Sequence, residues 1–382
     1  MKTRFTIDGS RELEDRLQRI CGNVKCRVTE LIPRRKLAAI VLGGGYGRGE
    51  GGVLRTEAGD QPYNDLEFYV FLRGNRLWQQ HRYGRMLREL GALLSVEAGL
   101  HVEFKIDCVD RWRRSPVSMF SYDLVSGHRV IFGDESIFQG CEQHLDGASI
   151  PLSEATRLMF NRCSGMLLVS ELLQHSALAI EEADFVGRNL AKMRLALGDA
   201  LVTAFGQYHW SVQERHRRLA TFDVMDLHPW LPEIQTHHAG GLEFKLHPRR
   251  VSKPVDEFDL EYRGLTGLAM QLWLWLEGRR LRQRFLSVSD YALSGVDKCP
   301  GTSAWQNYLL CLRAFGPKAA VLPVSWRYPR ERLFNALPLL LWNAEAVSQP
   351  CLLRRLQQEL QTDALDWAGL VSVFKRIWAC YG

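Results

Sequence analysis

The first 135 residues alternate between short apolar runs and amphipathic stretches. Residues 11–31 set Leu13, Leu17 and Ile20 at helical spacing among charges, which predicts a helix with one apolar face. Lys36–Leu42 is a short apolar run that stops at glycines, the pattern of a buried strand feeding a tight loop. Asp65–Leu72 is rich in β-formers and carries its acidic residues at the start. Over Arg76–Gly99, Tyr83, Leu87, Leu90 and Leu94 share one side of a helix. His101–Cys108 alternates strictly, with Val102, Phe104, Ile106 and Cys108 facing one way and His101, Glu103, Lys105 and Asp107 the other. Arg129–Phe132, ended by Gly133 and Asp134, reads as a further strand.

The character changes near Pro151. Helical spacing runs over Ser153–Gln174, Glu181–Tyr208, Phe258–Leu286, Ser303–Phe315, Glu331–Ala346, Leu352–Gln361 and Ala364–Tyr381. Residues 221–256, rich in His, Pro and Gly, read as irregular. The expected fold is α+β: a mixed sheet with helices in residues 1–150, then a mainly α-helical domain over 151–382. A length of 382 residues suits two domains, and no internal repeat is visible.

Composition narrows the class. With 46% hydrophobic and 24% charged residues, the chain is neither disordered nor fibrous. A net charge of +6 favours an anionic ligand, but no dense Lys/Arg stripe points to nucleic acid. The apolar stretches Leu265–Leu276 and Ala336–Trp342 are too short to span a bilayer and read as buried helix, so no membrane partner is expected. The N-terminus lacks an apolar segment behind its basic residues. The nine cysteines are scattered without a CxxC pair, which supports no zinc site and fits reduced thiols in the cytoplasm.

The richest chemistry lies in Leu42–Gly52, where repeated glycines let backbone amides approach an anion and Arg48 adds a fixed charge. Gly47, Gly49 and Gly52 fit G-x-G-x-x-G, but Val53–Asn64 has no apolar helical face to supply the crossover helix of a dinucleotide fold. No Gly-Lys-Ser/Thr follows, so a Walker loop is excluded. Asp65 and Glu67, at i and i+2 of one expected strand, project from the same face and suit Mg²⁺ bound through oxygen ligands. Glu103 and Asp107 are both candidates for a third acid.

Strand, glycine turn, acid-x-acid strand and later acid together resemble the nucleotidyltransferase superfamily typified by DNA polymerase beta, and within it the bacterial minor and aminoglycoside nucleotidyltransferases. The matching residues are Gly44–Glu50, Asn64–Val70, the strand Val102–Asp107, and Tyr122–Asp134, which resembles the segment that closes this domain. The resemblance covers roughly residues 35–135. It implies a Mg²⁺-dependent enzyme that moves a nucleoside monophosphate from a nucleoside triphosphate, ATP being the expected donor, to a hydroxyl of a small molecule or protein. Under it Asp65, Glu67 and Asp107 bind metal, with Glu103 the other candidate for the third acid. Gly43, Gly44, Gly45, Gly47 and Arg48 hold the phosphates. Apart from the resemblance, Lys192 in the helical run Leu190–Leu201 offers either a cation that reaches a triphosphate from the second domain or part of a solvated helix face. The family usually places Ser where this chain has Gly44 or Gly45, and its second acid is more often Asp than Glu. These departures motivate the alternative of a nucleotide-binding regulatory or interaction module without turnover.

Other features read as structural. Arg157, Arg162 and Arg194 suit solvated helix faces, and His237-His238 lacks further metal ligands at suitable spacing. Arg111–Arg114, basic with a Trp, reads as an exposed turn, and Met270–Leu276 as helix core.

Overall fold

The apolar run at residues 37–42 becomes β1 (Leu37–Leu42), an inner strand that needs no polar face because it is covered on both sides. The structure, a computed structural model, describes residues 4–63, 65–227, 229–316 and 326–381. It is an α+β protein of two compact units. The first comprises Met1–Glu154 and Leu201–Arg250, the second Ala155–Ala200 and Val251–Gly382. The single division expected after residue 150 therefore misses the return of residues 201–250 to the first unit.

In the first unit, α1 (Arg11–Leu31) and β1 are followed by the short α2 (Gly44–Arg48) and the hairpin β2 (Val53–Thr56) and β3 (Gly59–Pro62). Then come β4 (Leu66–Leu72), α3 (Arg76–Ala98), β5 (Val102–Asp107), α4 (Val109–Trp112), α5 (Met119–Ser126) and β6 (Arg129–Phe132). The four-stranded sheet has the order β5-β4-β1-β6. β1 pairs antiparallel with both β4 and β6, while β4 and β5, joined through α3, run parallel. A parallel pair needs such a crossover, and a helix supplies it.

One sheet face packs on α1 and α3. Leu13, Leu17, Ile20, Val24 and Val28 of α1 meet Ile40, Leu42, Phe68 and Val70 in a single apolar cluster with Leu87 and Leu94 of α3. Each such fully buried side chain stabilises the fold by about 1.5–3 kcal/mol. Ser10 caps α1, its side chain accepting from the Leu13 amide, and Asn75 caps α3, accepting from Leu77 and Trp78. The other face holds Ala39, Val41, Tyr69 and Phe71 under Trp112, Leu124 and Phe138. Trp112 is thus core, not an exposed aromatic beside the arginines of 111–114.

The stretch after Gly52, which shows no apolar helical face, forms the β2–β3 hairpin in register Val53↔Pro62 to Thr56↔Gly59. Its polar composition hid it. The hairpin is fixed from outside, Asp60 accepting from the Ser10 amide at 2.7 Å. Asn64, quoted with the acid strand, lies outside the described residues.

The second unit opens with α6 (Leu152–Leu172) and most of α7 (Ile180–Ala204). The chain then contributes α8 (Val212–Ala220) and α9 (Leu231–Leu246) to the first unit. It continues through α10 (Val255–Leu281), α11 (Val288–Leu293), α12 (Ala304–Phe315), α13 (Pro329–Trp342), α14 (Pro350–Leu360) and α15 (Trp367–Tyr381). Trp273 and Leu276 of α10 are buried, as a helix-core reading of 270–276 requires. Glu277, fully buried, accepts from Thr156 (2.8 Å), Tyr291 (2.7 Å) and both arms of Arg280 (2.6 Å each). Among the described residues no helix is long and apolar enough to cross a membrane, and each of the nine cysteines is a free thiol.

Candidate functional site

The glycine turn and the acid strand meet because β1 and β4 are antiparallel. Leu42 pairs with Phe68, so the next residue of the turn falls opposite Glu67, and the Gly43 amide donates to the Glu67 carbonyl at 2.9 Å. Gly43 allows this crossing, since a Cβ there would lie 2.6 Å from the Tyr69 ring. Gly44 follows in the left-handed region, φ +62°, with its missing Cβ directed 3.6 Å from Glu67 Oε2. Gly45 and Gly47 face inward. A Cβ on Gly45 would meet the Glu50 carbonyl oxygen at 3.0 Å, and one on Gly47 the Leu42 carbonyl oxygen at 2.2 Å. Gly43 and Gly44 therefore border Glu67, whereas Gly45 and Gly47 serve the packing of α2.

Asp65 stands just before β4, not within it. It is exposed, with no hydrogen bond or ion pair among the described residues. Glu67 is half-buried on the face it shares with Tyr69 and Phe71. Parallel pairing sets Glu103 beside Glu67, Lys105 beside Tyr69 and Asp107 beside Phe71. Glu103, not Asp107, is thus the register neighbour of Glu67. Asp107 lies four residues along the strand, about 13 Å away at an ordinary strand rise. Its carboxylate is already engaged, accepting from the Cys108 amide (2.9 Å), Trp112 Nε1 (2.9 Å) and Arg111 Nη1 (2.8 Å). The structure does not bring Asp107 to Asp65 and Glu67. It holds α4 against the strand end instead.

Lys105 lies between the two glutamates, its Nζ 3.3 Å from Glu67 Oε1 and 3.1 Å from Glu103 Oε2. Tyr69 donates its hydroxyl to Glu67 Oε2 at 3.2 Å. Burial alone would lower the Lys105 pKa, but the two carboxylates outweigh it and hold the ammonium above the ordinary lysine range. Burial and the neighbouring Glu67 push the Tyr69 phenol up, so it remains a donor.

Arg48, expected on phosphate, is turned inward. Its Nη1 pairs with Asp123 at 3.2 Å, and its buried Nε has no hydrogen-bond partner among the described residues. Tyr208 also donates to Asp123, at 3.3 Å. Glu50, buried at the end of the turn, accepts from the Val212 amide at 3.0 Å and from Ser211, and so caps α8.

A residue absent from the sequence reading joins this neighbourhood. Lys245, near the end of α9, is half-buried and has no hydrogen bond or ion pair among the described residues. Burial and the charges of Arg48 and Arg215 push its pKa down to about 8, with Glu50 and Glu67 opposing. It was missed because 221–256 reads as irregular, whereas α9 forms there with Ile234, His238 and Gly241 buried. His238 stacks on His216 at 5.3 Å. Lys192 is exposed on α7 in the second unit, and Arg194 pairs with Glu261 at 2.8 Å in the same unit.

Among the described residues no group of three or more His, Cys, Asp or Glu side chains is arranged to hold a metal ion. The donors are Asp65, which is exposed, and Glu67, whose Oε1 meets Lys105 and whose Oε2 accepts from Tyr69 and keeps a second lone pair. Mg²⁺ commonly takes one or two carboxylates plus substrate phosphates, and the donor chemistry of Asp65 and Glu67 suits such an ion. Comparison with family models gives no match, and neither does comparison with curated protein sequences.

Proposed function

We propose that the chain is a Mg²⁺-dependent nucleotidyltransferase that moves a nucleoside monophosphate from a nucleoside triphosphate to an acceptor hydroxyl, releasing pyrophosphate. The observation that carries the reading is the placement of the Gly43–Gly44 turn directly opposite Glu67, with Asp65 open beside the strand. A turn without side chains leaves room for a triphosphate next to carboxylates that could hold its metal. Asp65 and Glu67 would hold Mg²⁺, which supplies charge neutralisation on the phosphates when bound. Lys245, a cation with no hydrogen bond or ion pair among the described residues, would meet the triphosphate. Arg48 would act at one remove, its charge spent on Asp123. Glu103, beside Glu67 in register, would be the carboxylate that takes the acceptor's proton.

The test is calorimetric titration with ATP, GTP, CTP and UTP, with and without Mg²⁺, on the chain and on Asp65→Ala. Metal-dependent binding of one nucleotide, lost in the variant, is expected, followed by pyrophosphate release with a suitable acceptor. No binding at millimolar nucleotide would reject the reading. Lys105, bridging Glu67 and Glu103, favours a second reading, a nucleotide-binding module without turnover. It predicts binding with no pyrophosphate release whatever acceptor is offered.

A further inference from the structure

We propose that the Lys105 ammonium is a built-in cation occupying the position between Glu67 and Glu103, so that this site takes one divalent cation, on Asp65 and Glu67, and not two. This rests on the reading of Asp65 and Glu67 as cation ligands. Three observations support it. Parallel register sets the two glutamates side by side, where two bare carboxylates would repel. Lys105 closes that gap with 3.3 and 3.1 Å contacts, its Nζ also lying 5.5 Å from the Tyr69 ring centroid. Asp107, the remaining acid of the strand, is consumed by Arg111, Trp112 and the Cys108 amide and cannot ligate a second ion.

The charge sum agrees. Asp65, Glu67 and Glu103 carry three negative charges and Lys105 one positive, which one divalent ion balances. A second ion would have to displace an ammonium already held by two carboxylates. A fixed positive charge about 6 Å from a divalent ion weakens its binding roughly tenfold even at the permittivity of water.

The experiment is titration of the full chain, without nucleotide, with Mn²⁺, free ion being followed by electron paramagnetic resonance. The wild type is expected to bind one Mn²⁺. Lys105→Gln should bind a second, or the first about tenfold more tightly. Lys105→Met, which keeps an apolar stem against Tyr69, should show the same gain, and Lys105→Arg, which keeps the charge, should not. One Mn²⁺ bound equally by wild type, Lys105→Gln and Lys105→Met would overturn this proposal alone. Two ions in the wild type would do the same. No Mn²⁺ on any of them would overturn it together with the metal-ligand reading of Asp65 and Glu67.

Discussion

A single methyl group at Gly47 separates packing from ligand binding as the reason for the glycine turn. In Gly47→Ala the new Cβ would lie 2.2 Å from the Leu42 carbonyl oxygen and 2.8 Å from its carbon. Both atoms are backbone at the end of β1, paired on either side with β4 and β6, so no side chain can swing away. Relief needs about 1 Å of movement by α2 or the strand end. Overpacking of this kind costs about 1–3 kcal/mol, and backbone on both sides puts this case at the upper end. Gly22 supplies the contrast. It sits within α1 with nothing near its missing Cβ, so Gly22→Ala should gain about 0.8–1.0 kcal/mol from helix propensity alone. For a unit of this size each kcal/mol moves the midpoint by about 2–4 °C. The first unit's thermal transition should therefore fall by about 6–12 °C in Gly47→Ala and rise by about 2–4 °C in Gly22→Ala. Circular dichroism melts would read both. A Gly47→Ala midpoint within 1 °C of wild type would refute the close-approach explanation.

Lys245 sets a pH dependence. Its pKa near 8 means the ammonium discharges above that pH, so nucleotide affinity should decline as pH rises through about 8 and stay flat in Lys245→Arg. A wild-type affinity constant from pH 7 to 9.5 would exclude Lys245 from the phosphate site. Because the folded pKa lies below the ordinary lysine value of about 10.4, the unfolded chain holds the extra proton between them, and this residue's contribution to stability rises with pH over that window. In the second unit, Glu277→Ala strands Arg280, whose side chain is only 9% exposed, and should cost about 3–5 kcal/mol in urea unfolding. A loss below 1 kcal/mol would show that Arg280 finds another partner.

The sheet was legible because each strand carried its own pattern. The apolar run at 37–42 and the alternation over 102–107 marked β1 and β5, and Leu13, Leu17 and Ile20 marked the buried face of α1. The acids followed the pattern only in part: Glu67 lies on β4, while Asp65, expected on the same strand, falls just before it. What stayed hidden was set by partners distant in sequence. Periodicity places Glu103, Lys105 and Asp107 on one face without saying which lies beside Glu67; pairing register decides that. Arg48 in a glycine turn reads as a phosphate ligand until Asp123, 75 residues later, claims it. Lys245 lies on a helix whose His, Thr and Gly content argues against helix, and which forms by burying Ile234, His238 and Gly241.

The first unit is made from two separated lengths of chain, and this bears on its synthesis. When residue 154 has been translated the sheet, the turn and the acids all exist, but Ser211, Val212 and Lys245 do not. Glu50 then has no helix to cap and Arg48 lacks the Tyr208 hydroxyl that helps hold Asp123. At about 5–20 residues per second the missing segment, ending at residue 250, arrives roughly 5–20 s later. In that interval the nascent first unit carries a buried-type carboxylate without its partners and an incomplete cation set. Completion of these contacts is thereby tied to translation of the intervening α6 and α7, and a ribosome that stalls before residue 211 leaves Glu50 without Ser211 and Val212.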